Sequence, residues 1–357
     1  LETAHAELIA ETRLARGGIE ATARYSERMD DLIRQIYSGA HDPNVAPLAL
    51  LALGGYGRKQ LCLHSDVDLL VIVDGAIGAA EERCLKAILH PLWDLRLDVG
   101  QQVRELGDFD RVEQDNPEYL VALLDARLVA GEPDVFERFQ TACLGLGTSW
   151  SQPMRDVLHD LVEQRHAQFN RTQYQLEPDV KDSPGALRDA SAVRVFTRLA
   201  GTGHDAPVAL GRVDEAEDFL LRIRSILHLE RGRNLNVLSH ELQEKAAAIF
   251  GSPGEQPRHQ VEALMSTYFH HARIISRALG TIMRSLRVAP DTPPVCVGDD
   301  LERRGDAIRF VDGTRASLLP RTWLRAFEAA LDQECEVSDQ VLTCIQRHGG
   351  RYEPERF

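Results

Sequence analysis

The sequence has 357 residues, of which 43% are hydrophobic and 27% charged, and its formal net charge is −14. This length allows two or three domains, and the composition is that of an ordinary globular protein. No apolar run approaches the roughly 20 residues of a membrane-spanning helix, and the negative charge argues against an extended nucleic-acid interface, which needs clustered Lys and Arg side chains.

The cysteines and the first residues indicate a reducing compartment. The 6 cysteines are scattered, and no pair has the spacing of a zinc knuckle or a redox motif. We therefore expect no disulfide framework. Residues 1–5 are polar and lead into an amphipathic pattern, which is not the pattern of a signal peptide. The sequence predicts a cytoplasmic protein.

Residues 1–45 are predicted to form an N-terminal helical segment. Apolar residues recur at helical spacing, most clearly between Ile19 and Ile36. Gly17 and Gly18 predict a break in this segment, and the Gly and Pro residues after Tyr37 predict its end. We interpret these helices as packing elements that support the domain that follows.

Residues 48–73 contain the most informative stretch of the chain. Two short apolar runs, 48–53 and 67–73, are typical of buried central strands. A Gly-Gly-Tyr-Gly-Arg turn follows the first run, and Ser-Asp-Val-Asp opens the second. Alternate side chains of a strand share a face, so Asp66 and Asp68 are predicted to point the same way.

This pattern favours a metal-dependent nucleoside triphosphate site. Two adjacent carboxylates repel each other unless a cation lies between them, and their hard oxygen ligands suit Mg²⁺, which takes its remaining ligands from phosphates and water. Glycines let the backbone approach a phosphate, and an arginine fork can bind one. The metal candidates are Asp66 and Asp68. The nucleotide-binding candidates of this stretch are Gly54, Gly55, Gly57, Arg58 and Ser65.

Further along the chain, the spacing predicts a helix over residues 80–94, a strand over 95–104 and a helix over 117–130. Residues 147–357 are predicted to be mostly helical, with a helix beginning near Leu187. We predict a linker or surface loop over 288–300 and a small turn at 310–314. The predicted domains are an N-terminal helical segment over 1–45, an α/β domain with this nucleoside triphosphate site over 46–146, and a helical domain over 147–357.

Two motifs carry a resemblance to a known family. Gly-Gly-Tyr-Gly-Arg at 54–58 with Ser-Asp-Val-Asp-Leu-Leu at 65–70 resembles the nucleotidyltransferase signature of the DNA polymerase β superfamily, in the form found in bacterial PII uridylyltransferases. Leu-Glu-Pro-Asp-Val-Lys at 176–181, followed by Pro-Gly-Ala-Leu-Arg-Asp at 184–189, is similar to a second segment of that family. The chain departs from the family pattern at Ala186, where the family has Gly, and at Gln101 and Gln102, where it has His-Ser.

The resemblance implies an α+β fold, with a polymerase β-type nucleotidyltransferase core around a mixed sheet, followed by a mostly helical domain. It also implies Mg²⁺ as cofactor and transfer of UMP from UTP to a tyrosine hydroxyl of the PII signal protein. Lys181 and Arg188 are the further nucleotide-binding candidates. A third carboxylate on the strand after the signature is expected to hold metal or accept the proton of the attacking hydroxyl, and Asp98 is the candidate, with Asp94 as the alternative.

Alternatives remain at the level of function. The enzyme could use ATP, or act on an RNA end or a small molecule, or the chain could be a non-catalytic regulatory module. The resemblance covers roughly residues 20–350, and the family's full-length members carry a hydrolase domain and regulatory domains beyond this region. We therefore expect the chain to lack uridylyl removal and glutamine sensing. We predict PII and UTP as partners, with no membrane and no extended nucleic acid.

Overall fold

The computed structural model describes residues 1–40, 42, 44–111, 117–149, 151–200, 210–251, 256–287, 294–305, 307–316 and 319–349. The chain divides into two units, one made of Leu1–Val195 with Ala209–Ser276 and the other of Phe196–Val208 with Arg277–Phe357. The three-domain division expected from the sequence stays a prediction. No helix among the described residues is long and apolar enough to cross a membrane.

Up to residue 131, helices alternate with four strands. In chain order these elements are α1 (Glu2–Arg13), α2 (Ile19–Ala40), β1 (Leu48–Ala52), α3 (Gly54–Gly57), β2 (Val67–Val73), α4 (Ala79–Asp94), β3 (Val99–Glu105), a 3₁₀ helix (Leu106–Arg111), α5 (Pro117–Leu124) and β4 (Arg127–Gly131).

The next part of the chain, up to residue 287, is helical. Its helices are α6 (Pro133–Ser149), α7 (Ser151–Gln168), α8 (Leu187–Ala200), α9 (Leu210–Arg231), α10 (His240–Phe250) and α11 (Pro257–Arg287). The prediction of a helix beginning near Leu187 is confirmed.

The first four strands form one mixed sheet in the order β3-β2-β1-β4. β1 pairs antiparallel with both β2 and β4, whereas β2 and β3 are parallel. Alternation along β2 places Val67, Leu69 and Val71 on the face covered by α1, α2 and α4, and Leu70 and Ile72 on the opposite face. Asp68 belongs to this second face, so the register of one strand decides which side of the sheet receives the carboxylate.

The prediction of a single helix over residues 117–130 was wrong. α5 ends at Leu124, and Arg127–Gly131 is the edge strand β4. The apolar run has helical spacing, but Val129 packs in the core beneath α2 and the backbone of residues 127–131 pairs with β1. Gly131 has φ +99°, and a Cβ there would lie 2.3 Å from the Leu48 carbonyl oxygen, so this residue allows the close strand contact.

The last part of the chain contains a second sheet that the sequence analysis did not predict. Its elements are β5 (Val295–Gly298), β6 (Leu301–Arg304), β7 (Ala307–Phe310), α12 (Gly313–Ala316), α13 (Pro320–Asp332), β8 (Glu336–Val337) and α14 (Asp339–His348). The strands follow the order β5-β6-β7-β8, and α13 and α14 contribute to their core. The predicted loop over 288–300 lies partly outside the described residues, and Val295–Gly298 is a strand.

The fold class is as predicted. A mixed sheet flanked by helices is followed by mostly helical structure, and the signature residues lie at the ends of the central strands. The additional small sheet changes the content of the C-terminal region but leaves the core around β1 and β2 as expected.

Candidate active site

The glycine turn after β1 is one helical turn, α3. Gly54 has φ +52°, and both Gly54 and Gly55 line the pocket. Their amides have no intrahelical acceptor, because the first N–H groups of a helix have none within it. Gly57 is buried behind the turn, where a Cβ would lie 2.2 Å from the Asp125 carbonyl oxygen. Two glycines therefore border the pocket, and the third allows close backbone packing.

Helix α2 holds this turn in place through a buried carboxylate. Asp30 accepts a 2.6 Å hydrogen bond from the Tyr56 hydroxyl and two from the Arg127 guanidinium, at 2.6 and 3.0 Å. Arg127 also donates to the Gly57 carbonyl oxygen at 3.2 Å. The N-terminal helices were expected to support the domain that follows, and Asp30 of α2 supports the glycine turn in this way.

The two signature carboxylates lie at the start of β2 and line the same pocket. Asp68 pairs with Gly100 of β3, where a Cβ would lie 2.6 Å from the Asp68 Oδ1 atom. Asp68 is exposed to solvent in the pocket, but the surrounding residues partly desolvate its carboxyl and raise its pKa, and the charges of Asp66 and Asp98 raise it further. The Lys181 ammonium opposes this shift.

This donor set fits a Mg²⁺ ion completed by substrate. The mutual repulsion of Asp66 and Asp68 is the electrostatic situation that a divalent cation relieves, and their oxygen atoms are the ligands that Mg²⁺ prefers. No group of three or more His, Cys, Asp or Glu residues among those described could hold a metal ion alone. A two-carboxylate site matches the few protein ligands that Mg²⁺ takes beside nucleotide phosphates.

The proposed third carboxylate, Asp98, lies one residue before β3 and is exposed. Its carbonyl oxygen accepts a hydrogen bond from Val67 N–H at 2.8 Å, which joins it to the start of β2. Its side chain does not contribute to the pocket lining, although its charge acts on Asp68. Asp94 is an exposed residue at the end of α4. The role of Asp98 stays a prediction.

Arg58 lines the pocket, but its guanidinium already has a partner. Its Nη1 atom pairs with Asp125 Oδ2, and its Nε atom donates to Gln60 Oε1 at 3.2 Å. Asp125 is buried. In this geometry Arg58 ties the turn to the loop between α5 and β4, and its contact with a phosphate stays a prediction.

The second motif forms a tightly hydrogen-bonded loop that enters α8. Asp179 Oδ1 accepts from the Lys181 and Asp182 amides, both at 2.8 Å. Gly185 has φ +79°, and a Cβ there would lie 2.3 Å from the Ala272 carbonyl oxygen. Ala186 is fully buried. These contacts place Lys181 in the pocket wall.

The two charged residues at the start of α8 have separate roles. Arg188 lines the pocket and pairs with Asp182 at 3.0 Å. Asp189 is fully buried, accepts from Gly185 N–H at 2.7 Å, forms an ion pair with Arg165 and hydrogen bonds with His166 Nε2, both residues of α7. Asp189 therefore joins α7 to α8.

The structure brings most of the predicted residues into one cavity of about 550 Å³ in the first unit. Its lining includes the polar groups of the glycine turn, Ser65 and the carboxylates, together with apolar side chains of α5, α7 and α8. The predicted residues that line the cavity are Gly54, Gly55, Arg58, Ser65, Asp66, Asp68, Lys181 and Arg188. Gly57 and Asp98 lie outside its lining.

Sequence reasoning did not place two cationic side chains in this cavity, nor an amide side chain beside Asp66. Arg165 and Arg224 line the cavity, and Asn234 Nδ2 lies 3.4 Å from both carboxylate oxygens of Asp66. The signal for Arg224 was present, because the Arg-Ser-Ile-Leu-His segment that it begins resembles a family pattern. No local sequence pattern marks Asn234 or Arg165 as a site residue. Only folding brings Asn234 to Asp66, and Arg165 to Asp189 of α8.

The mixed sheet, the glycine turn and the paired aspartates define a nucleotidyltransferase-type core. The family description "GlnD PII-uridylyltransferase" matches residues 156–283. A bifunctional uridylyltransferase/uridylyl-removing enzyme from Bordetella parapertussis is 34% identical over 315 residues, which cover 84% of this chain and 36% of that relative. A protein of the same name from Burkholderia pseudomallei is 32% identical over 292 residues, which cover 79% of this chain and 33% of that relative.

Over these aligned residues the chain is similar to PII-uridylyltransferases, which confirms the resemblance carried by its motifs. It spans about a third of the length of the curated relatives. One solved structure, described as "Crystal structure of the toxin-antitoxin with AMP-PNP", covers 37% of this chain and 97% of its own at 12% identity and a TM-score of 0.26. A likeness of that size supports no inference.

Proposed function

We propose that this chain is a Mg²⁺-dependent nucleotidyltransferase that transfers UMP from UTP to a tyrosine hydroxyl of the PII signal protein in nitrogen regulation, releasing pyrophosphate. The observation that carries the proposal is the convergence of Asp66 and Asp68 with the glycine turn and Lys181 in one cavity. The names of the relatives support the choice of uridylyl transfer, and the matching family description supports PII as acceptor. The free cysteines agree with a cytoplasmic protein.

The residues have distinct parts in the proposed reaction. Asp66 and Asp68 would hold the Mg²⁺ ion, which would supply Lewis-acid stabilisation of charge on the phosphates. The Gly54 and Gly55 amides and Lys181 bind the triphosphate. The tyrosine oxygen forms a bond to the α-phosphorus while the bond from that phosphorus to the bridging oxygen breaks, and the electron pair leaves with pyrophosphate. Asp98 takes the proton of the hydroxyl.

The test is incubation of the chain with Mg²⁺, PII and each labelled nucleoside triphosphate in turn, followed by the mass of PII. We expect a gain of one UMP. A gain of AMP would keep the reaction and change the nucleotide. If the chain binds a triphosphate but transfers no nucleotide to PII, the result would favour the non-catalytic regulatory module. Asp66→Ala, with folding checked by circular dichroism, is the matched inactive variant.

A further inference from the structure

The cationic side chains that line the cavity differ in whether they form ion pairs. Five cationic side chains of the described residues line it, and three of them form ion pairs, namely Arg58 with Asp125, Arg165 with Asp189, and Arg188 with Asp182. The other two are Lys181 and Arg224. Neither forms an ion pair with a carboxylate of the described residues.

Arg224 is buried with neutral partners only. Its residue is 8% exposed, its Nε atom donates to Asn236 Oδ1 at 2.8 Å, and its Nη2 atom lies 3.4 Å from Asn234 Oδ1. His228, one turn further along α9, is also buried, and burial and the charge of Arg224 lower its pKa to about 3. A buried charge without a counter-charge is strongly unfavourable, so an anion in the cavity would stabilise this arrangement.

Lys181 places a second cation near the first. Burial lowers the pKa of its ammonium, and the charges of Arg224 and Arg188 lower it further, more than Asp182 and Asp66 raise it. Two cations that repel each other therefore line the same cavity as the two carboxylates that repel each other. A polyanion is the ligand that would relieve their repulsion.

The cations adjoin the carboxylates through one side chain. The Asn234 amide oxygen accepts a hydrogen bond from Arg224, and its Nδ2 atom donates one to Asp66, both at 3.4 Å. A ligand whose metal-bound end lies at Asp66 and Asp68 therefore has the two cations within reach of its other end.

We propose that Lys181 and Arg224 form the subsite for the pyrophosphate portion of the triphosphate, and that Asn234 and Asn236 position Arg224 without neutralising it. This inference rests on the proposed function. When the bond between the α-phosphorus and the bridging oxygen breaks, the electron pair stays on the departing pyrophosphate, and the two cations balance the added charge.

The test is the affinity of the whole chain for inorganic pyrophosphate, with and without Mg²⁺, measured by isothermal titration calorimetry. Asn236→Asp keeps an oxygen acceptor for Arg224 and supplies the missing counter-charge. We expect it to weaken pyrophosphate binding at least tenfold, while the melting temperature stays equal or rises. Arg224→Gln should weaken binding similarly. Arg231→Gln, which removes an exposed arginine of α9 that pairs with Glu241, is the control and should leave affinity unchanged.

The outcomes separate this inference from the proposed function. An Asn236→Asp variant with wild-type pyrophosphate affinity, or a wild-type chain that does not bind pyrophosphate, would overturn the subsite even if UMP transfer is observed. Weakened binding in Asn236→Asp, with no transfer by the wild type, would support the subsite and contradict the transferase. If the chain both binds pyrophosphate at this subsite and transfers UMP, Asn236→Asp should raise the KM for the triphosphate. If Arg224→Gln does not fold, the isosteric Asn236→Asp variant decides.

Discussion

At the scale of single residues, Arg58 is a motif side chain whose charge is already paired within the fold. It follows the glycine turn, and an arginine in that position can bind a phosphate in a fork-like contact. In the structure its guanidinium pairs with buried Asp125, a partner 67 residues away in the chain. The sequence correctly indicated an arginine at the pocket, but the identity of its contact depends on the loop between α5 and β4.

The raised pKa of Asp68 gives a prediction with a defined sign. Because its folded-state pKa is raised, protonation favours the folded state, and this contribution is lost as pH rises through that pKa. Asp68→Asn should lower nucleotidyl transfer at least about 100-fold, since metal-bound charge stabilisation is worth several kcal/mol. At pH 7 the variant should melt at a higher temperature than the wild type.

Thermal melts of Asp68→Asn and the wild type across the acid range check this sign. The difference in melting temperature should shrink as pH falls, because the wild-type carboxyl becomes neutral. A variant that is less stable than the wild type at neutral pH would show that Asp68 has a stabilising partner and is not strained by its neighbours.

The third carboxylate is a separate prediction. Asp98 acts electrostatically on Asp68 from the start of β3, whereas Asp94 is exposed at the end of α4. Asp98→Asn should lower kcat about 100-fold, the usual size of a lost general base. Asp94→Asn should keep wild-type turnover. Steady-state rates of UMP transfer compare the two, and the opposite ranking would reassign the role to Asp94.

At the scale of secondary-structure elements, the glycine turn and β4 were predicted with different success. The turn was recognised because its glycines stand directly between two apolar runs. β4 was not, because residues 127–131 continue the helical spacing of α5 and only pairing with β1 makes them a strand. The same pairing places Asp125 against Gly57. Because β4 was not predicted, the contact between Asp125 and the glycine turn was not predicted either.

The contact between Gly57 and Asp125 predicts a selective effect of added methyl groups. Gly57→Ala should lower the free energy of unfolding by about 1–3 kcal/mol, because its Cβ would meet a backbone oxygen at 2.2 Å. Gly55→Ala is the matched control, since the nearest atom to its Cβ lies 4.0 Å away. It should be neutral or slightly stabilising. Urea unfolding of both variants measures the difference, and equal stabilities would contradict the packing role of Gly57.

At the scale of the whole molecule, the net negative charge disfavours an RNA end as the acceptor of the nucleotide. The chain carries 55 acidic and 41 basic residues, and three of the five cations of the cavity are paired with carboxylates. Such a charge distribution offers a local site for a triphosphate and opposes binding of a long polyanion.

This charge distribution predicts that single-stranded RNA does not bind. At roughly 150 mM salt, fluorescence anisotropy should show no saturable binding up to about 100 µM protein, which is the weak end of non-specific binders. Lowering the salt at fixed protein concentration is the control for residual electrostatic attraction. Micromolar binding with a steep salt dependence would instead favour an RNA end as the acceptor.

The sequence by itself determined the core strands, the glycine turn, the two carboxylates and the family resemblance of its motifs, because these features depend on neighbouring residues and on the alternation of side chains along a strand. Only the tertiary structure decided the edge strand β4, the second sheet, the partner of Arg58 and the unpaired charge of Arg224. Each of these depends on which distant segments pack together. Asn234 reaches Asp66 across 168 positions, and no local pattern in the sequence encodes that contact.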